Sequence, residues 1–104
     1  MERPVAEIMS SIDKTVEVLN SLANKSRLQI LDCIRDGARN PGEMAKKLGR
    51  HRSTVEKHLR VLLKSGIIEK VPSLTISGQL SVNYKIRDSV SGTLSMILEK
   101  CASL

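Results

Sequence analysis

A mainly α-helical chain with one small β-hairpin is what this 104-residue sequence predicts, and three observations predict it. Apolar residues recur at spacings of three and four in four segments before Gly66 and in one after Arg87. Between those two limits the period switches to strict alternation, the mark of a half-buried strand. The composition holds a single aromatic residue, Tyr84, with no Trp or Phe, so Leu, Ile, Val, Met and Ala must fill the core. That set suits helices. The length fits one domain, expected to span residues 1–104.

The first helix is expected from Pro4 to Ala23, with the proline at its first position and Val5, Ile8, Ile12, Leu19 and Leu22 near one stripe. Asn24 then reads as the N-cap of a second helix, Lys25 to Asp36, with Leu28, Leu31 and Ile34 facing inward and Gly37 ending it. A third helix begins at Asn40-Pro41-Gly42-Glu43, where Asn40 caps, Pro41 takes the first turn and Glu43 returns a hydrogen bond to the cap residue. It stops at Gly49. Only Arg50 and His51 intervene before a fourth helix, Arg52 to Ser65, which turns Val55, Leu59, Leu62 and Leu63 inward and closes at Gly66.

Two helices joined by so tight a glycine turn predict a helix-turn-helix. Leu80, Val82, Tyr84 and Ile86 then alternate with Ser81, Asn83, Lys85 and Arg87, and Ile67 to Val71 supplies a partner strand that Pro72 is expected to interrupt. Ser77-Gly78 provides the turn. A helix-turn-helix followed at once by a hairpin is a winged helix. Asp88 is expected to cap a last helix carrying Val90, Leu94, Ile97, Cys101 and Leu104, weakened in its first turns by Gly92.

The fourth helix carries the functional signal. At about 100° per residue, Lys57, Arg60 and Lys64 fall within about 40° of Ser53, while Val55, Leu59 and Leu62 fall about 180–240° away. A basic ridge thus lies opposite the buried stripe. From Ala45 to Lys70 there are eight Lys or Arg residues against two Glu, so the net charge of +6 is concentrated here. Such a ridge suits the major groove of double-stranded DNA. Arg52, Ser53, Glu56 and Lys57, at the start, are placed for base edges, with Arg50, His51 and Thr54 beside them; Arg60 and Lys64 are placed for phosphates. The hairpin tip, residues 73–79, contains no Lys or Arg and offers hydroxyls, Gln79 and backbone amides, which predicts a supporting wing or a purely structural one.

Other classes find little support. The longest apolar runs fall far short of the roughly 20 residues of a membrane span and no leader precedes the first helix, so a soluble, cytoplasmic, nucleoid-associated protein is expected. No glycine-rich phosphate loop, nucleophile elbow or paired buried carboxylates suggest an enzyme or a cofactor. Cys33 and Cys101 lie far apart and out of metal-ligand spacing, which reads as reduced thiols.

The stretch from Leu22 to Ile86 resembles the ArsR-like winged-helix transcription regulators. The likeness is carried by Leu22-Ala23-Asn24-Lys25-Ser26-Arg27-Leu28, Glu43-Met44-Ala45, Leu48-Gly49, Ser53-Thr54-Val55, His58-Leu59, Leu62 and Gly66-Ile67-Ile68. The resemblance implies a homodimer packed through its terminal helices, residues 1–23 and 88–104, that binds a near-palindromic operator and represses transcription. Both terminal helices carry apolar stripes larger than one small core absorbs, which agrees.

The sequence departs from the metal-sensing members. The family's cysteine pair would fall on Asn40 and Gly42, and of its Asp and His site on the last helix only Asp88 is present. No metal site is therefore expected. His51 stands where the family has a small capping residue, and His58 is read as structural. Cys33 is read as a small buried hydrophobe, while a redox role for Cys101 stays open. Two alternatives remain beside the regulator: an architectural or nonspecific nucleic-acid binder, and a winged-helix protein-interaction module.

Overall fold

The computed structural model describes residues 5–104, with side chains from residue 11 onward. Its described elements run α1 (Val5–Leu22), α2 (Lys25–Arg35), α3 (Pro41–Leu48), α4 (Arg52–Ser65), β1 (Ile68–Leu74), β2 (Leu80–Ile86) and α5 (Asp88–Ala102). This is a mainly helical fold with a two-stranded antiparallel hairpin, as the periodicities predict. Pro4 and the side chains of Val5 and Ile8 lie outside the described residues.

Local chemistry accounts for most helix limits. Asn24 takes an extended backbone and its side chain accepts a hydrogen bond from the Arg27 amide at 3.0 Å. Asn40 does the same for the Glu43 amide at 2.9 Å. Glu43 returns a contact to the cap residue, as expected, through the cap's side chain. One carboxylate oxygen accepts from the Asn40 side-chain amide at 3.0 Å and the other from the Arg39 backbone N–H at 2.9 Å. Glu43 therefore fixes the side chain of the cap and the residue before it, which locks the approach to α3.

The core forms where the four central elements meet. Ile30 and Leu31 of α2, Met44 of α3, Val55, Leu59 and Leu62 of α4, and Ile67 and Ile68 at the entry to β1 are all but completely buried. Leu94 joins them from α5, and Val18 and Leu22 of α1 pack against the cluster. Leu28 and Ile34, predicted as the inward face of α2 with Leu31, are only half-buried; Ile30 and Cys33 are the deeper positions. The α2 stripe is thus rotated by about one residue toward α3 and α4.

The hairpin corrects two expectations and the last helix a third. β1 does not stop at Val71 but continues through Pro72, which sits opposite Val82, to Leu74. A two-stranded ribbon has an open outer edge on each strand, so a proline whose missing N–H would face outward breaks no ladder bond. Alternation in β2 is buried only near the root: Ile86 is buried and Tyr84 half-buried, whereas Leu80 and Val82 are exposed because the ribbon projects beyond the helices. Asp88 is the first residue of α5 and not its cap; Arg87 holds the cap position, with no side-chain cap bond. Asp88 instead lies 3.5 Å from Lys85 Nζ, and the helix runs unbroken through Gly92.

The wing is tied to the helices at its base. The Tyr84 amide donates to the Arg39 carbonyl at 2.8 Å and the Arg87 amide to the Ile67 carbonyl at 3.0 Å. The radius of gyration is 15.8 Å, against about 13 Å for a compact domain of this length. Projecting elements account for the excess.

Candidate nucleic-acid interface

The turn between α3 and α4 is made by Gly49, Arg50 and His51. Gly49 adopts φ 63°, ψ 38°, a left-handed conformation that glycine enters without steric cost, and it ends α3 in one residue. The Arg50 amide then donates to the Ala45 carbonyl at 3.0 Å, so the chain reverses tightly enough to start α4 two residues later. Helix α4 has the limits its sequence predicts, and Gly66 at φ 83° closes it.

Its two faces separate cleanly. Val55, Leu59 and Leu62 are buried at 0–1% exposure, while Arg52, Ser53, Lys57 and Arg60 are exposed on the other side and Lys64 continues that ridge. Thr54 and Glu56 are half-buried at its margins. Among the described residues, Lys57, Arg60 and Lys64 form no ion pair with a carboxylate. Their charge is open to an external anion.

Three of the predicted residues are placed differently from a simple ridge. Arg52 Nε lies 3.0 Å from Glu56 Oε1, an exposed pair one turn apart, so these two side chains hold each other in the free protein. Such a pair is worth only about 0.3–0.5 kcal/mol, little enough for a base edge to displace. Arg50 turns its guanidinium back onto α2, with Nη1 donating to Ser26 Oγ at 2.6 Å and Nη2 to Gln29 Oε1 at 3.1 Å. It therefore positions the turn. His51 occupies the N-cap position of α4 with an extended backbone and no side-chain cap bond. Its carbonyl accepts from Thr54 and Val55, which leaves the amides of Arg52 and Ser53 without an acceptor inside the helix.

Behind the ridge, Arg27 joins three helices. Its Nε donates to the Ser21 carbonyl and Nη2 to the Asn20 carbonyl at 3.2 Å, both in the last turn of α1, while Nη1 approaches His58 Nδ1 at 3.4 Å on α4. His58 is half-buried, and burial, helped by Arg27, Lys57 and Arg50, holds its pKa below the ordinary value. The contact makes His58 part of the junction of α1, α2 and α4. Periodicity did not single out Arg27, because its role depends on residues from two other helices. An arginine three residues after a helix cap, close to the end of the preceding helix, was the signal available.

The wing stands beside the start of α4. Leu80, Ser81, Val82 and Tyr84 of β2 line one open cleft together with Arg52 and Glu56 and with Asn40 and Pro41 of α3. The tip carries the exposed hydroxyls and Gln79 expected of it. Its Thr75 hydroxyl is occupied, accepting from the Gln79 amide at 3.0 Å and lying 2.9 Å from Ser77 Oγ. Beside its exposed polar residues it presents Leu74, Ile76 and Leu80 outward.

Elsewhere, the Cys33 thiol is buried and burial pushes its pKa up, the state of an inert packing residue, while Cys101 is exposed. Among the described residues, no helix is long and apolar enough to cross a membrane, and no three His, Cys, Asp or Glu side chains gather to hold a metal.

A turn-linked helix pair followed by a hairpin defines the winged helix-turn-helix class, and residues 22–71 match the family model described as a helix-turn-helix domain. The likeness to ArsR-family regulators read from the sequence also holds: the fold is that of the DNA-binding transcription regulators of ArsR and HlyU type. One similar structure is a homodimeric winged helix-turn-helix DNA-binding domain from Mycobacterium bovis, described as a possible ArsR-family transcriptional regulator. It superposes with a TM-score of 0.80 at 25% identity, over 99% of this chain and 91% of that one. Reduced HlyU from Vibrio cholerae matches with a TM-score of 0.69 at 26% identity, over 89% of this chain and 94% of its own. NolR from Sinorhizobium fredii matches with a TM-score of 0.72 at 25% identity, over 95% of each chain. No curated protein matches the chain by sequence.

Proposed function

We propose that this chain is a homodimeric, sequence-specific repressor of transcription that inserts α4 into the major groove of double-stranded DNA in the cytoplasm. The observation that carries the reading is the face of α4 on which Lys57, Arg60 and Lys64 are exposed and unpaired among the described residues, directly opposite the buried Val55, Leu59 and Leu62. A surface helix needs no such asymmetry of charge for stability. A polyanion needs it for binding.

In this reading Arg52, Ser53, Glu56 and Lys57 meet base edges, with Arg52 leaving Glu56 to take a guanine and Glu56 accepting from a cytosine. Thr54, at the margin, and the unpaired amides of Arg52 and Ser53 beside His51 meet the flanking phosphate, while Arg60 and Lys64 grip the backbone farther on. Arg50 holds the turn that aims the helix. The whole chain acts as one DNA-binding domain, and its terminal helices form the dimer.

Dimerisation is supported by the terminal helices themselves. Ile12, Val16 and Leu19 of α1 and Met96 and Ile97 of α5 remain exposed on the single chain. The Mycobacterium bovis neighbour is a homodimer. Two copies would place two α4 helices on one duplex and select an inverted repeat.

Selection of duplexes from a random pool by the full-length protein at physiological salt tests the proposal. Enrichment of an inverted repeat is expected. Retention without enrichment would mean a nonspecific, architectural binder.

A further inference from the structure

We propose that the wing is an apolar wedge: Leu74, Ile76 and Leu80 enter the minor groove beside the site held by α4 and bend the duplex there. The inference rests on the DNA-binding reading above and adds to it a second contact of different chemistry.

The tip presents no charge to DNA. Residues 73–79 include no Lys, Arg, Asp or Glu, so the tip neither grips a phosphate nor repels one. Part of its hydrogen-bonding capacity is engaged within the turn itself. The Thr75 amide donates to the Gln79 carbonyl at 2.8 Å, the Gly78 amide to the Thr75 carbonyl at 2.9 Å, and the Thr75 hydroxyl accepts from the Gln79 amide. Gly78, at φ 84°, lets the chain close this turn. The result is a tip fixed by its own backbone, with its aliphatic side chains left outside.

Those side chains are concentrated. Leu74 and Leu80 are cross-strand partners, 67% and 84% exposed, and Ile76 beyond them is fully exposed. A single exposed leucine needs no explanation, but three large aliphatic residues at the end of a projecting ribbon form a surface that water solvates poorly.

The position of the ribbon selects DNA as the occupant. Leu80 and Val82 line the same cleft as Arg52 and Glu56, so a duplex seated on the start of α4 runs against the wing. Lys70 and Arg87, exposed near the root, then meet the phosphates on the way to the tip. A minor groove about 6 Å wide is too narrow for a two-stranded ribbon, and aliphatic side chains open it by partly unstacking a base step, which kinks the duplex toward the major groove. The cost is least at flexible pyrimidine–purine steps, so the wedge contributes sequence choice at positions α4 does not touch.

The test uses the full-length chain and duplexes of about 30 base pairs recovered from a random pool by the wild-type protein, carrying a donor and an acceptor dye at their ends. Wild type is expected to shorten the end-to-end distance. The variant combining Leu74→Ser, Ile76→Ser and Leu80→Ser, all at exposed positions, should bind about tenfold more weakly and leave the duplex straight, with an unchanged salt slope because no phosphate contact is lost. Ile76→Lys should recover affinity through a phosphate, with a steeper salt slope and no bend. Equal bending and affinity in the serine variant would overturn the wedge. So would loss of self-association without DNA, which would show the patch to cover a second copy. Should Arg52→Ala weaken binding while the serine variant does not, the α4 reading stands and the wedge falls; should wild type retain no duplex, both fall.

Discussion

Arg27 Nη1 stands 3.4 Å from His58 Nδ1, and because a guanidinium can only donate, this contact exists only when the imidazole is neutral with Nδ1 unprotonated. The same arginine holds the last carbonyls of α1 through Nε and Nη2, a favourable place for a cation at a helix C-terminus. Protonating His58 sets two cations against each other at the junction of α1, α2 and α4. Burial and the neighbouring Arg27, Lys57 and Arg50 therefore hold the folded-state pKa of His58 below its unfolded value of about 6.5. The sign follows: between those two values the unfolded chain binds more protons, so this contribution is complete above about pH 6.5 and is lost as pH falls toward the folded pKa. Denaturant unfolding at pH 7.5 and pH 5 checks it. His58→Gln, which keeps an acceptor for Arg27, should lose less stability over that interval than wild type, and parallel losses would refute the account.

His51 leaves the start of α4 uncapped although its backbone, at φ −68° and ψ 142°, has the extended form of a cap residue. His51→Ser should supply the missing acceptor and stabilise the protein by about 1 kcal/mol. It should also weaken duplex binding, because the serine oxygen would occupy an amide that the proposed interface directs at a phosphate. Thermal unfolding and a duplex titration on the same sample would check both effects. A gain in stability with no loss of affinity would remove these amides from the interface.

The elements legible in the sequence are those whose causes are local. Asn24, Asn40, Gly49 and Gly66 act within one turn of where they stand, and helix α4 is legible from end to end because the glycines that precede and close it and its apolar spacing are all local signals. The errors share a different origin. Pro72 predicts a break on local chemistry alone, whereas among the described residues β1 pairs only with β2 and its outer edge needs no N–H there. Leu80 and Val82 alternate as a half-buried strand should, yet burial depends on how far the ribbon extends past the helices. The partners of Arg50, Ser26 and Gln29, are likewise invisible to local patterning, because only the packing of α2 brings them to it.

Gly66 joins α4 to the wing at φ 83°, and no atom lies within 4 Å of where a Cβ would stand. The cost of Gly66→Ala is therefore conformational and should be about 1–2 kcal/mol, with Gly66→Asn costing less. Equal losses for alanine and asparagine would place the cost in packing instead. Unfolding midpoints of the two variants at constant m-value distinguish the outcomes.

Leu19 of α1 and Ile97 of α5 are exposed on the single chain but lie on helices proposed to meet their counterparts in a second copy. Leu19→Glu with Ile97→Glu should leave the monomer core intact, since neither residue belongs to it, and should convert the dimer to monomer by burying unpaired charge in the interface. Sedimentation measures the change. A variant that remains dimeric would move the interface off these helices.

Arg52 and Lys64 stand at opposite ends of one exposed face, and the chemistry of DNA assigns them different work. Arg52, held by Glu56 at 3.0 Å in the free protein, is at the end that would enter the groove first in the proposed interface. Arg52→Ala should cost about 1–3 kcal/mol on the preferred duplex and relax choice at one base pair, while leaving affinity for random duplex nearly unchanged. Lys64 stands in the last turn of α4, beside Glu17 and Asn20 of α1, and in the proposed interface it meets the phosphate backbone. Lys64→Ala should weaken every duplex alike and lower the slope of log K against log salt by about one. Competition titrations at several salt concentrations separate a loss of specificity from a loss of charge. If both variants merely shift the salt slope, α4 grips the backbone along its whole length, and sequence choice must come from the wing and the deformability of the duplex.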